Sequence, residues 1–224
     1  MRSSYGRRVR NAYLHQLDAV HDDLVDLARL VHRAVDRSTL ALLEGDLAVA
    51  EAVIDDDRAV DLLRERIEER SIELLSPQNP VAADLRMLVA SLQIVGELER
   101  MGDLAVHVAK IARMRAPGPT LPAEAVPLFA RMASVCALMV GRLEDVLDDP
   151  NPQVARELEE VDDEMDRLRG DTFRILLDDA WQHGVEPAVD VALLGRYYER
   201  IADHAVSVAR RIVFLATGER PPRG

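Results

Sequence analysis

Residues 98–109 read LERMGDLAVHVA, and residues 198–209 read YERIADHAVSVA. Seven of these twelve positions are identical at an offset of 100 residues. Self-similarity of this kind decides the architecture, because each copy must be one structural unit. A second match lies upstream at an offset of 105, where Ala50, Val53, Asp57, Val60, Arg64 and Ile67 correspond to Ala155, Leu158, Asp162, Met165, Arg169 and Thr172. Asp57 to Glu99 spans 42 residues and Asp162 to Glu199 spans 37, so the second copy has a connection five residues shorter.

The apolar pattern around both copies is helical. Leu14, Leu17, His21, Leu24, Ala28, Val31 and Val35 recur at three- and four-residue spacing, one face of a long helix. That helix is expected to stop at Gly45 in a left-handed conformation, with Asp46 capping the next. The second helix should run to about Leu75, before Pro77-Gln78-Asn79-Pro80, and a third from near Ala82 to about Arg115. Pro117-Gly118-Pro119 with Pro122 is the strongest break in the chain. Three more helices follow, at about 124–147, 154–182 and 187–216, ended by Asp149-Pro150-Asn151-Pro152, His183-Gly184 and Gly218. The expected fold is all-α: two homologous three-helix bundles in tandem over 1–116 and 122–218, with a mobile tail at 219–224.

Composition narrows the function. The 224 residues are 48% hydrophobic and 30% charged, as in a soluble globular protein. A net charge of −12 argues against nucleic acid, whose binding draws on Lys and Arg at phosphates, and 4% aromatics leave no stacking platform. Cys136, the single cysteine, lies in an apolar run and reads as a buried, inert thiol. No apolar stretch approaches the ~20 residues of a membrane span. Arg2, Arg7, Arg8 and Arg10 are followed by no apolar signal segment and read as a frayed arm, so a cytoplasmic location is expected.

The informative residues are acids within apolar seams. The stripe Ala50, Val53, Asp57, Val60, Arg64, Ile67, Ser71, Leu74 is interrupted by Asp57, and the stripe Leu85, Leu88, Leu92, Val95, Glu99, Gly102, Val106, Ala109 by Glu99. Asp61 and Asp103 follow four residues on, close to the same faces. The second half repeats this with Asp162 and Asp166, then Glu199 and Asp203 on the stripe Ala188, Ala192, Gly195, Glu199, Ala202, Val206, Ala209. Counted from a turn at Gln78, Asp57 and Glu99 are each 21 residues away and should share one level. Counted from Gly184, Asp162 is 22 residues away, Glu199 only 15 and Asp203 19, so the match is poorer and Asp203 fits better than Glu199.

A charge in such a seam must be paired or bound to a cation. Arg64, Arg100, Arg169 and Arg200 offer ion pairs as one answer. Carboxylate ligation of magnesium, manganese or iron is the other. Histidine adds little: His107 faces Ser207 across the repeat and His204 faces Leu104, while His15, His21, His32 and His183 read as ordinary helix residues. No Glu-x-x-His, phosphate-cradling glycine loop or nucleophile elbow occurs, so nothing asks for an enzyme.

At LERMGD, YERIADHA and LLSPQNPVAADLR the chain resembles the PhoU family of phosphate-signalling regulators, over essentially its whole length. The resemblance implies paired three-helix bundles whose E(D)xxxD motifs bind metal, often iron or zinc. Carried over, the motifs fall on Asp57/Asp61, Glu99/Asp103, Asp162/Asp166 and Glu199/Asp203. It further implies a cytoplasmic negative regulator of the phosphate-starvation response, acting between a sensor histidine kinase and the ATPase subunit of a phosphate transporter. Leu104 stands where the family often has histidine, so the first cluster is expected to coordinate differently. A homodimer is expected, with Leu42, Leu43 and Phe214 as contacts. A carboxylate-metal hydrolase or oxidase and a purely structural bundle remain as alternatives.

Overall fold

A computed structural model describes residues 2–75, 82–148 and 151–218. They form α1 (Arg2–Glu44), α2 (Leu47–Leu75), α3 (Ala82–Arg115), α4 (Val126–Asp148), α5 (Pro152–Leu176) and α6 (Val185–Thr217), with no strand among the described residues. The expected turn at 77–80, the break at 149–150 and the tail at 219–224 lie outside them.

Helix ends follow their local chemistry. Gly45 turns the chain at φ 69°, and Asp46 Oδ1 accepts the Val49 N–H at 3.0 Å, capping α2. Asn151 caps α5 by accepting the Gln153 N–H at 2.9 Å, and Gly218 ends α6 at φ 73°. Two ends differ from expectation. α5 stops at Leu176 rather than near Gln182, because Asp178 Oδ1 accepts the Ala180 N–H at 2.8 Å and diverts the backbone into a turn closed by Trp181 N–H on the Asp178 carbonyl. The basic N-terminal residues read as a frayed arm are the first turns of α1, and Arg10 is anchored to Asp84 at 3.0 Å.

The stripes face inward as the spacing requires, except at Leu85, which is exposed in the first turn of α3. On α2 the buried residues are Ala50, Val53, Val60, Leu63, Ile67, Ser71 and Leu74, the apolar and serine members of the expected stripe plus Leu63, while its charged members Asp57 and Arg64 are half-buried. α3 is buried on several faces because it packs against α1, α2 and α6. α6 packs on α3, α4 and α5, and α1 on α2, α3 and α4. One continuous apolar core therefore runs through both halves, with a smaller alanine-rich cluster (Ala41, Ala50, Ala109, Ala112) at one end of α1–α3.

Polar links reinforce this junction. His32 on α1 meets Glu144 on α4 at 2.5 Å, Thr39 meets Tyr198 at 2.8 Å, and Arg115 grips Asp190 at 2.6 Å. Leu42 is buried in the core and so is not free to serve a dimer contact, whereas Leu43 is only partly buried. One helix, α4, is by length and composition apolar enough to cross a membrane, contrary to the reading of the sequence, where Arg131 and Arg142 masked the run. In the fold Phe129, Met132, Cys136, Met139, Val140 and Leu143 of α4 are buried in the core.

Small residues set the helix spacing within each half. A Cβ on Gly102 would lie 3.3 Å from Val60 Cγ1, and one on Gly195 would lie 2.9 Å from Thr172 Cγ2. Alanine at a helix interior gains about 1 kcal/mol in propensity over glycine, but a Cβ only 2.9 Å from Thr172 Cγ2 forces α5 and α6 apart at a typical overpacking cost of ~1–3 kcal/mol. Gly195→Ala should therefore lower the melting temperature, and adding Thr172→Ser should recover part of the loss. A neutral or stabilised Gly195→Ala protein would show that this contact does not set the spacing.

Candidate functional site

The four acidic motifs lie where α2 meets α3 and where α5 meets α6. Gly102 sits beside Asp103, and Val60, its close neighbour across the seam, sits beside Asp61. In each motif pair the inner acid is covered more than the outer one. Asp57, Glu99 and Asp162 are half-buried and Glu199 is buried, while Asp61, Asp103, Asp166 and Asp203 are exposed.

Burial raises the Asp57 pKa above the ordinary carboxylate range, and the charges of Asp103 and Asp61 raise it further. Glu99 is raised by burial and Asp103, against the opposing pull of Arg64 and Arg100. The second half matches: burial and then Asp203, Asp166 and Asp163 push Asp162 up to about 6. Glu199 is raised by burial and Asp203, with Arg196 and Arg169 opposing. The neighbour acting most on Asp57 is thus Asp103, not Glu99, one helical turn from the level that counting from Gln78 suggested. The second half has the same arrangement: Asp203, which the count from Gly184 favoured, is the neighbour acting most on Asp162.

The arginine answer holds at one residue. Glu199 is paired with Arg196 and lies 3.9 Å from Arg169. Arg64 turns instead to Glu68 at 2.9 Å. Among the described residues Asp57, Asp61, Glu99, Asp103, Asp162, Asp166 and Asp203 form no ion pair within 4 Å, which leaves room for a cation. As the side chains stand, no three acidic, histidine or cysteine groups converge to hold a metal among the described residues. The donor chemistry suits a hard or borderline cation, and side-chain rotation would have to complete the shell.

Histidine has other roles. His204 turns away from Asp203 to meet Glu97 on α3 at 2.7 Å, where Arg211 also bonds Glu97 at 2.7 Å. That pairing holds Glu97 below the ordinary range. His107 stacks on Tyr197 with ring centroids 5.3 Å apart, and its charge lowers Asp57. His32 and His183 are not ordinary helix residues: they bridge to Glu144 and, outside any helix, to Glu124 at 2.6 Å. Sequence reasoning missed these links because their partners stand 59 to 112 residues away with no periodic signal. Cys136 is buried as expected, its thiol donating to the Tyr198 carbonyl and pushed up in pKa by burial.

Asp162 gives the charge cluster a measurable signature. Its folded pKa, about 6, exceeds the ordinary value of 3.8, so between these pH values the folded chain holds a proton that the unfolded chain has released. Stability then falls as pH rises through that window and is flat outside it. Asp162→Asn should remove this fall. Measured by urea unfolding in metal-free buffer, the variant should gain on the wild type by roughly 1–2 kcal/mol between pH 4 and 7, after allowance for solvent screening. A difference that does not vary with pH would refute carboxylate repulsion at this site.

The comparisons with known proteins agree with the two-half architecture. The family model described as the PhoU domain matches residues 24–112 and 129–212, one match in each half. The chain is 46% identical over 213 residues to the phosphate-specific transport system accessory protein PhoU homolog 2 of Mycobacterium bovis, covering 95% of this chain and 100% of that protein. It is 45% identical over 213 residues to PhoU homolog 1 of Mycobacterium leprae, covering 95% of this chain and 96% of that one. Among solved structures, PhoU from Pseudomonas aeruginosa superposes with a TM-score of 0.87 at 24% identity, covering 92% of this chain and 100% of that one, a likeness of fold. With two domain matches that span most of its length and near-full-length relatives of this similarity, the chain belongs to the PhoU family.

Proposed function

We propose that this protein is an accessory regulator of a phosphate-specific transport system, acting by binding partners rather than by catalysis. The observation that carries this reading is 46% identity, from end to end, to a relative named as such an accessory protein. The six helices expose long surfaces for partners, and the acidic clusters sit on open seams between α2 and α3 and between α5 and α6. On this reading the protein works in the cytoplasm as a homodimer. It represses the phosphate-starvation response by linking the transporter's ATPase subunit to a sensor histidine kinase.

The motifs Asp57/Asp61 with Glu99/Asp103, and Asp162/Asp166 with Glu199/Asp203, would hold divalent or trivalent metal, with iron or zinc as the expected ions and magnesium or manganese as harder alternatives. The bound cation would neutralise the repulsion that raises Asp57, Glu99, Asp162 and Glu199. In the second half Glu199 would first have to release Arg196.

Deletion of the gene should leave phosphate-scavenging genes expressed in high phosphate. Relatives in Mycobacterium tuberculosis occur as homolog 1 and homolog 2, so any second copy is deleted as well. Intact repression in that strain would rule the regulatory reading out. For the metal, Glu99→Gln with Asp103→Asn should halve the bound ion measured by elemental analysis of protein purified without chelator. Chelation should then destabilise the wild type more than the double variant. Equal metal in both proteins, or none in either, would assign the acids to charge repulsion alone.

A further inference from the structure

A cavity of about 250 Å³ lies between α1 and α2, with Val106 of α3 among its lining residues. Its polar lining is Arg33 and Arg37 from α1 and Asp56 and Asp57 from α2, set in an apolar surround that includes Val53 and Val60. Arg37 Nη1 donates to Asp56 Oδ2 at 2.6 Å. Arg33 forms no ion pair within 4 Å among the described residues. The site thus presents two guanidinium groups, one of them uncommitted, next to carboxylates.

Two of these four polar groups belong to one half only. The family matches begin at residues 24 and 129, an offset of 105, which is also the offset of the α2 and α5 stripes. At that offset Arg33 becomes Leu138, Asp56 becomes Val161, Arg37 becomes Arg142, and Asp57 becomes Asp162. The acid shared by both halves is the cluster acid. The residues that make the first cavity polar, Arg33 and Asp56, are apolar in the second copy.

Arginine forks match the oxygen edges of tetrahedral oxyanions. An adjacent carboxylate would repel a fully deprotonated anion such as sulfate, but it can accept a hydrogen bond from an anion that keeps a proton. Hydrogen phosphate keeps one at neutral pH. We propose that the α1–α2 cavity binds inorganic phosphate, with Arg33 and Arg37 donating to its oxygens and Asp56 accepting its remaining proton. Arg37 can serve both Asp56 and the anion, because a guanidinium carries five N–H donors. A cavity of this volume has room for several waters at ~30 Å³ each, so a free anion with some hydration fits more readily than a phosphorylated macromolecule. The inference stands on the cavity and goes beyond the accessory role, which the gene deletion tests separately.

The test is isothermal titration of the full chain, freed of metal by chelation and dialysed into low-salt buffer, with inorganic phosphate, sulfate and phosphoserine. Phosphate should bind saturably at one per chain, and sulfate at least tenfold more weakly. Arg33→Leu, the residue of the second copy, should weaken phosphate at least tenfold. Asp56→Val should bring phosphate and sulfate closer together. Because the protein is freed of metal first, binding in this titration separates the site from metal-borne phosphate. Arg33 and Asp56 are exposed, so both variants should melt like the wild type. Absence of saturable phosphate binding, equal affinity for sulfate, or an unchanged Arg33→Leu protein would overturn the proposal. Tighter binding of phosphoserine would overturn free phosphate as the ligand.

Discussion

Like charges forced together by close helix packing are the constraint on which the rest of this molecule depends. The contacts of Gly102 with Val60 and of Gly195 with Thr172 keep α2 against α3 and α5 against α6. Each seam carries two acidic motifs, so the packing that buries Ile67, Leu88 and Met165 also gathers carboxylates. In water such charges would repel weakly, but partial burial strengthens the repulsion, as the raised pKa values of Asp57 and Asp162 report. A chain stable by only a few kcal/mol keeps such an arrangement where something else gains by it.

Much of this was legible in the sequence. Gly45, Asp46 and Gly218 marked helix ends because their chemistry is local: a left-handed φ or a side-chain cap needs only neighbouring residues. The stripe on α2 was readable for a related reason, since a residue's face follows from its number once the helix is granted. The end of α5 was less visible, because apolar residues continue to Trp181 and only the Asp178 side chain diverts the backbone. The level of the acids in the first half was also misjudged by a turn. Counting from Gln78 assumes a symmetric turn between α2 and α3, and spacing alone does not supply the stagger of the two helices.

The long-range pairs were out of reach. His204 follows Asp203 directly, which suggested a shared task, yet its ring bonds Glu97 on a helix of the other half. Nothing in a single sequence pairs residues 107 positions apart. The same holds for Arg33, whose place beside Asp57 depends on how α1 crosses α2. α4 shows the converse: its apolar length suits a membrane, but packing against α1, α5 and α6 gives it an interior role.

The pairing of helices across the junction has a consequence for how such a chain is built. α1 packs on its own counterpart α4, and α3 packs on its own counterpart α6. Like meets like, which is the rule of a two-fold interface between identical subunits. The junction between the halves therefore has the geometry of a dimer interface held within one chain. Its two sides need not be identical, so His204 can reach Glu97 while the position equivalent to His204, Leu104, is plain core.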